Sequence, residues 1–306
     1  MEDEGAMARM VSGLVLGLAL LARHGTAQER VEARFALDGR GSVRIMNPFG
    51  RIRVTGWDSE SLAVSGRLAP QAGRFYAAGD ARVRKLGVEV SLDERSAGTA
   101  DLEVRVPRRA SVWVKSATAD IDVEGVDGTL DLNSVSGTIH VVGTPQDVTA
   151  ETMDGAVEIA GGTGRARAKT VSGGILLRGA SEDLGASTLS GTIVVRAAGW
   201  QRGGTGVQRG RFESVTGDIR FEGEVGRGGV VELESQSGKV EVRVPPNTVA
   251  DFDLLTIGGV ITNTLTAAVP QRRAAGVGQE LRFSTGTGGA QVTVRSFKGT
   301  ILLQPK

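Results

Sequence analysis

The chain has 306 residues, with 45 glycines, two histidines, no cysteine and a formal net charge of +1. Without thiols there are no disulfides, thiolate metal sites or cysteine nucleophiles, and the balanced charge offers no electrostatic basis for binding nucleic acid. An apolar content of 40% argues for a folded chain, and glycine at about twice its usual share of about 7% argues that it is used position by position.

Residues 1–27 are expected to be a signal peptide. Arg9 supplies a basic start, Val11 to Ala22 an apolar run, and Gly25-Thr26-Ala27 a small-residue cleavage site. Glu2, Asp3 and Glu4 are unusual ahead of such a segment, which makes Met7 a second candidate start. The run is shorter than the roughly 20 residues of a membrane span. No further apolar span follows, so no transmembrane segment is expected in 28–306. The expected location is extracytoplasmic, whether periplasmic, cell-surface or secreted.

Residues 28–101 read as N-terminal capping strands. Within them 29–68 would cover the first repeat, with Pro48 and Trp57 in the cap, and 69–101 is irregular around Tyr76. Residues 102–306 carry the repeat. Gly137, Gly155, Gly173 and Gly191 are each 18 residues apart, and Gly128, Gly217, Gly238 and Gly299 share their frame. The second and fourth residues after each glycine are apolar, as in Ile139/Val141, Val157/Ile159 and Ile193/Val195. Apolar or small residues also stand seven and five before it, as in Leu130/Leu132 and Ala166/Ala168. Alternation of period two makes each half-unit a short strand with one buried face, and the glycine is expected to supply an unusual backbone conformation at the corner.

The pattern therefore predicts an all-β chain, specifically a single-stranded parallel β-solenoid of 18-residue coils. One coil buries too little to fold alone, so coils must stack. The alanines at 150, 166, 168 and 186 predict a thin interior. Strand direction cannot be read from sequence, so a β-sandwich or prism of hairpins is the alternative. The segment 300–303 is expected to close the stack, with Pro305 ending the pairing.

Several stretches together resemble the bacterial extracytoplasmic β-strand-repeat family of adhesin-like domains: NPFGRIRVTGWD (47–58), LEVRVPRRASVWVKSATADIDVEG (102–125), VEVRVPPNTVADFDLLTIGGVITN (240–263) and GTGGAQVTVRSFKGTILLQ (286–304). The resemblance spans residues 35–306, departing from the simplest pattern at the insertions 197–211 and 267–280. It implies an exported, non-enzymatic β-solenoid-like protein associated with adhesion or the envelope, and it transfers no catalytic residues.

A hydroxyl column, Ser134, Thr152, Thr170, Thr188, Ser214, Ser235, Thr256 and Ser296, stands three residues before the glycines. It is expected to satisfy backbone groups at the corner. The outward column Asp131, His140, Glu158, Leu176, Val194, Arg220 and Glu241 repeats no chemistry, though Leu176 and Val194 could form a small apolar patch. The carboxylate pairs Asp120/Asp122 and Glu232/Glu234 could in principle serve a glycosidase, but no aromatic residue adjoins them and a solubilising role is expected. The insertion GWQRGGTGVQRGR (199–211) lengthens the glycine spacing from 18 to 26. There Trp200, Arg202, Arg209 and Arg211 combine an aromatic face with guanidinium donors suited to acidic glycans or a protein anchor. No catalytic, metal or cofactor site is expected. The expected role is binding or structural, adhesin-like, at the cell envelope or surface, with an envelope glycan or a surface protein as partner. An envelope sensor or assembly partner is the alternative, and a polysaccharide-degrading β-helix enzyme a more distant one.

Overall fold

A computed structural model describes residues 28–90, 98–179, 181–197, 206–273, 277–287 and 289–306. The proposed signal peptide (1–27), Trp200 and Arg202 lie outside the described residues. The chain is all-β, with 27 strands and no helix among the described residues.

The expectation of a single parallel solenoid is not met. The strands form two large mixed sheets, one of 13 strands and one of 14. In order across the first lie Glu29–Ala36, Ser61–Leu68, Ala100–Pro107, Gly50–Trp57, Asp120–Glu124, Ile139–Gly143, Val157–Gly161, Ile175–Gly179, Ile193–Ala197, Ile219–Gly223, Val240–Val244, Ile301–Pro305 and Ile261–Asn263. The second runs Gln271–Arg272, Gln279–Ser284, Ala250–Thr256, Ala290–Ser296, Val225–Ser235, Val207–Ser214, Ser181–Thr188, Thr163–Lys169, Asp147–Glu151, Thr129–Asn133, Ser111–Lys115, Ser42–Met46, Val83–Glu89 and Arg74–Gly79. Nor are the sheets built from hairpins between Ser111 and Val244, where successive strands alternate between them.

Two features overturn the uniform parallel arrangement. Both ends carry antiparallel strands: Glu29–Ala36 against Ser61–Leu68, and Arg74–Gly79 against Val83–Glu89, at one end; Gln279–Ser284 against Ala250–Thr256 at the other. A strand that doubles back pairs the backbone groups of the last parallel strand and itself becomes the edge. Strand order also departs from chain order. Ala290–Ser296 inserts between Val225–Ser235 and Ala250–Thr256, and Ile301–Pro305 between Val240–Val244 and Ile261–Asn263. The last two strands thus fill a rung that the chain skipped. The C-terminal segment does not close the stack: Pro305 pairs with Val244, and the Lys306 N–H donates to the Val244 carbonyl at 2.9 Å.

The 18-residue spacing appears as parallel register, with Leu130 beside Val148, Val148 beside Ala166, and Ile139 beside Val157. The inward residues of both sheets form one buried core that includes all four predicted alanines. Where the spacing between paired residues rises to 26, at Leu184 and Gly210, an added Cβ on Gly210 would lie 3.0 Å from the Phe212 ring. The space it leaves is taken by Phe212, whose ring centroid lies 5.9 Å from that of Phe221 on the facing sheet.

The corner glycines serve a different purpose from the one expected. Gly173 has no left-handed backbone; a Cβ on it would collide with the Gly155 carbonyl one rung away. Positive φ belongs instead to a second glycine column at the opposite corner, for example Gly161 at 129°.

Candidate functional site

The hydroxyl column works as a ladder. The Thr170 Oγ1 donates to the Met153 carbonyl at 3.0 Å and accepts the Gly173 N–H at 3.0 Å. Ser134, Thr152 and Thr188 accept the corresponding glycine N–H groups at 2.9, 3.2 and 3.0 Å. This ties each corner to the next and fixes the direction of the neighbouring side chains. Ser214 breaks the ladder: its buried hydroxyl has no partner among the described residues. The break falls where the 26-residue spacing precedes it, and the carbonyl of Leu189 instead accepts from the Thr216 hydroxyl at 3.3 Å.

Outward from the 14-stranded sheet, register aligns three columns. Asp147, Arg165, Asp183 and Arg209 form one, Thr149, Arg167, Gly185 and Arg211 the second, and Glu151, Lys169, Ser187 and Glu213 the third. Gly185 leaves a dip in the middle column. Arg167 lies across it, its Cδ 2.7 Å from where a Cβ would stand, and reaches the Asp183 Oδ1 at 2.6 Å. Arg209 and Arg165 approach the Asp183 Oδ2 through their Nε atoms at 3.2 and 3.7 Å. The Asp183 side chain is only 9% exposed, whereas that of Arg209 is 71% exposed. Burial acts to raise the Asp183 carboxyl, but hydrogen bonds and charge from Arg167 and Arg209 outweigh it and hold the group below its ordinary value. Arg211 bridges Glu213 at 2.5 Å and Glu232 at 3.3 Å.

Arg167, Asp183, Arg209, Arg211, Glu213 and Glu232 line a depression of about 680 Å³ around Gly185 and Gly210. A second, of about 870 Å³, continues from Lys169 past Ser214 to Ile257. The two share Lys169, Ser187 and Glu213, so they form one open trough. It crosses seven strands, from Asp147–Glu151 to Ala250–Thr256, which at about 4.8 Å per spacing makes it about 29 Å long. One wall carries charges; the other is a corner ridge of apolar residues that includes Val171, Leu189, Val215 and Phe297.

Of the residues singled out from sequence, Arg209 and Arg211 lie on Val207–Ser214 and line the trough. The structure joins them to Arg167 and Asp183, which sequence reasoning passed over. The ridge was also missed, although its signal is present in the sequence: an apolar residue stands two positions before most of the corner glycines. On the other sheet Leu176 and Val194 pair side by side, half-buried. There His140 Nδ1 lies 3.8 Å from Asp122, and Glu241 is enclosed by Arg220, Lys239 and Arg243 at 3.2, 3.4 and 2.5 Å. Among the described residues, no group of three or more His, Asp or Glu is placed to hold a metal ion, and no helix is long and apolar enough to cross a membrane.

No family model and no curated protein matches the chain. Among solved structures it is similar to a "putative adhesin" from Parabacteroides distasonis, with 11% identity, 91% of this chain and 98% of that one covered, and a TM-score of 0.51. Proteins of the same designation from Bacteroides fragilis and Parabacteroides merdae match at 11% identity with TM-scores of 0.45 and 0.44. The first covers 91% of this chain and 98% of its own, the second 90% and 96%. At such identity the first likeness shows a common fold. It is the fold of the adhesin-like proteins that the sequence motifs resemble.

Proposed function

We propose that the chain is an exported, non-catalytic binding protein of the cell envelope or surface, adhesin-like in action, with an envelope glycan or a surface protein as partner. The trough carries this reading. It is long, open and built on rigid strands, as suits an extended partner. Its most buried acid, Asp183, is engaged by Arg167 and Arg209, and Arg211 bridges Glu213 and Glu232. The arginines hold the Asp183 carboxyl below its ordinary value, whereas a general acid needs a raised pKa. The signal-like segment 1–27 and a fold in common with a protein named as an adhesin support the same reading.

The test compares retention of the purified protein on isolated envelopes with that of Arg209→Ala/Arg211→Ala and of Trp200→Ala/Arg202→Ala. A loss of about tenfold or more is expected for the first pair, corresponding to about 1.4 kcal/mol. Unchanged retention by both variants refutes the assignment.

A further inference from the structure

Building on that reading, we infer that the trough binds a neutral, linear polysaccharide lying across the strands. The C–H faces of its sugars rest on the corner ridge, and its hydroxyls meet the charged wall.

Along the trough the ridge consists of Val171, Leu189, Val215 and Phe297, one residue per rung, interrupted at Gln236, and Val135 and Met153 continue the same line beyond the trough. Val135, Met153, Val171, Leu189 and Phe297 are 48, 52, 38, 49 and 47% exposed. Recurrent half-exposed apolar side chains in a line are not required by the core and mark a contact surface. Their backbone is pinned rung to rung: Met153 N–H to the Val135 carbonyl at 2.9 Å, Val171 to Met153 at 2.9 Å, and Leu189 to Val171 at 3.1 Å. A ligand therefore meets a preformed surface and need not order it.

Shape selects the occupant. A strip one side chain wide exposes on the order of a few hundred Å², well below the roughly 800 Å² per partner of a stable protein interface. Neither a second copy nor another globular protein finds enough area there. Side chains on one face of an extended peptide recur about every 6.8 Å, out of step with rungs about 4.8 Å apart. An acyl chain is apolar on every side and leaves the opposite wall unmatched. That wall carries both signs, with Lys169 and Arg295 as cations, Glu213 and Glu234 as anions, and Ser187 between them. A polyanion meets the glutamates and a polycation the other two, whereas a polyhydroxyl chain can donate to one set and accept from the other. Midway along the floor, the orphaned Ser214 hydroxyl offers one more group for a ligand to satisfy after rotation about χ1.

The experiment titrates the purified protein by calorimetry with size series of cello-, manno- and N-acetylated chito-oligosaccharides. Alginate and heparin serve as linear polyanions, and isolated envelopes are assayed in parallel. At least one neutral series should bind, with affinity rising until the oligomer spans the trough. Val171→Ser/Leu189→Ser, at two ridge residues that line the trough, should weaken it at least tenfold with an unchanged thermal midpoint, and Ser214→Ala a few-fold. Val269→Ser, at an exposed valine that lines neither depression, should have no effect. Binding confined to polyanions, or neutral binding indifferent to the ridge variant, overturns the inference. If envelopes bind and no neutral series does, the polysaccharide assignment fails and the broader function stands; if nothing binds, both fall.

Discussion

Replacing Gly173 by alanine tests the reason for the glycine column. An added Cβ would lie 2.5 Å from the Gly155 carbonyl carbon, closer still to its oxygen, and 2.9 Å from the Thr170 Oγ1. Ordinary carbon–oxygen contacts are about 3.3–3.6 Å, so one rung must move by about 1.5 Å. The bonds resisting that movement are Gly173 N–H to Thr170 Oγ1 at 3.0 Å, Val157 N–H to the Gly174 carbonyl at 2.9 Å, and Ile175 N–H to the Thr192 carbonyl at 2.9 Å. Losing one of them costs about 1 kcal/mol, and overpacking adds about 1–3 kcal/mol. We expect a total near 3 kcal/mol, or about 5 °C in Tm for a chain of this length. Gly174 is the internal control. The nearest atom to its added Cβ is the Thr192 oxygen at 3.7 Å, with no left-handed backbone. Gly174→Ala should therefore be neutral or stabilise by about 0.4–1 kcal/mol through the unfolded chain. Thermal and urea unfolding followed by circular dichroism measures both. Equal midpoints for the two variants refute the close-approach argument.

The ladder makes a second paired prediction. Thr170→Val leaves the Gly173 N–H without its acceptor and should cost about 1–3 kcal/mol, while Ser214→Ala removes a hydroxyl that bonds nothing and should fall within about 0.5 kcal/mol of wild type in the same assays. Acid stability gives a third. Asp183, Glu241 and Asp253 are all held below their ordinary values. At Asp183 and Glu241 burial is the largest influence and opposes this, but the neighbouring arginines prevail; at Asp253 the hydrogen bond from Arg295 leads. Because the folded pKa is the lower, each contributes stability that is complete above the unfolded value near 4. That contribution is lost as pH falls through the folded one. The Tm should drop more steeply between pH 5 and 3 in wild type than in Asp183→Asn/Glu241→Gln/Asp253→Asn, and parallel curves would count against the assignment.

Much of the fold was legible because inward positions have only one acceptable chemistry. Alternation at Ile139/Val141 and Val157/Ile159 located strands and their buried faces, and the 18-residue period correctly aligned Leu130 with Val148. What periodicity could not convey is order. The frames around Gly259 and Gly299 look alike, yet the later one fills the rung beside Val225–Ser235 and the earlier lies beyond it. Both satisfy the same local pattern, and only the whole arrangement distinguishes them. The ends were misjudged for a related reason: antiparallel strands such as Gln279–Ser284 belong to no repeat. At the site, Arg209 and Arg211 were visible as a local anomaly. Arg167 and Asp183 looked like ordinary surface charges until register placed them beside Gly185.

The same division of labour bears on where recognition lies. Inward columns and corners hold the sheets together, so their recurrence reports packing alone. Outward columns are free to vary, and most do: Asp122, His140, Glu158 and Leu176 stand side by side with no common chemistry. Against that background an outward position that stays apolar at Val135, Met153, Val171, Leu189 and Val215 is informative. Half of each exposed side chain does nothing for the core, and a run of apolar surface carries a standing risk of self-association. Its persistence through Val171, Leu189 and Val215 on the trough wall, beside a wall of mixed charge, is better explained by an extended amphiphilic ligand than by folding.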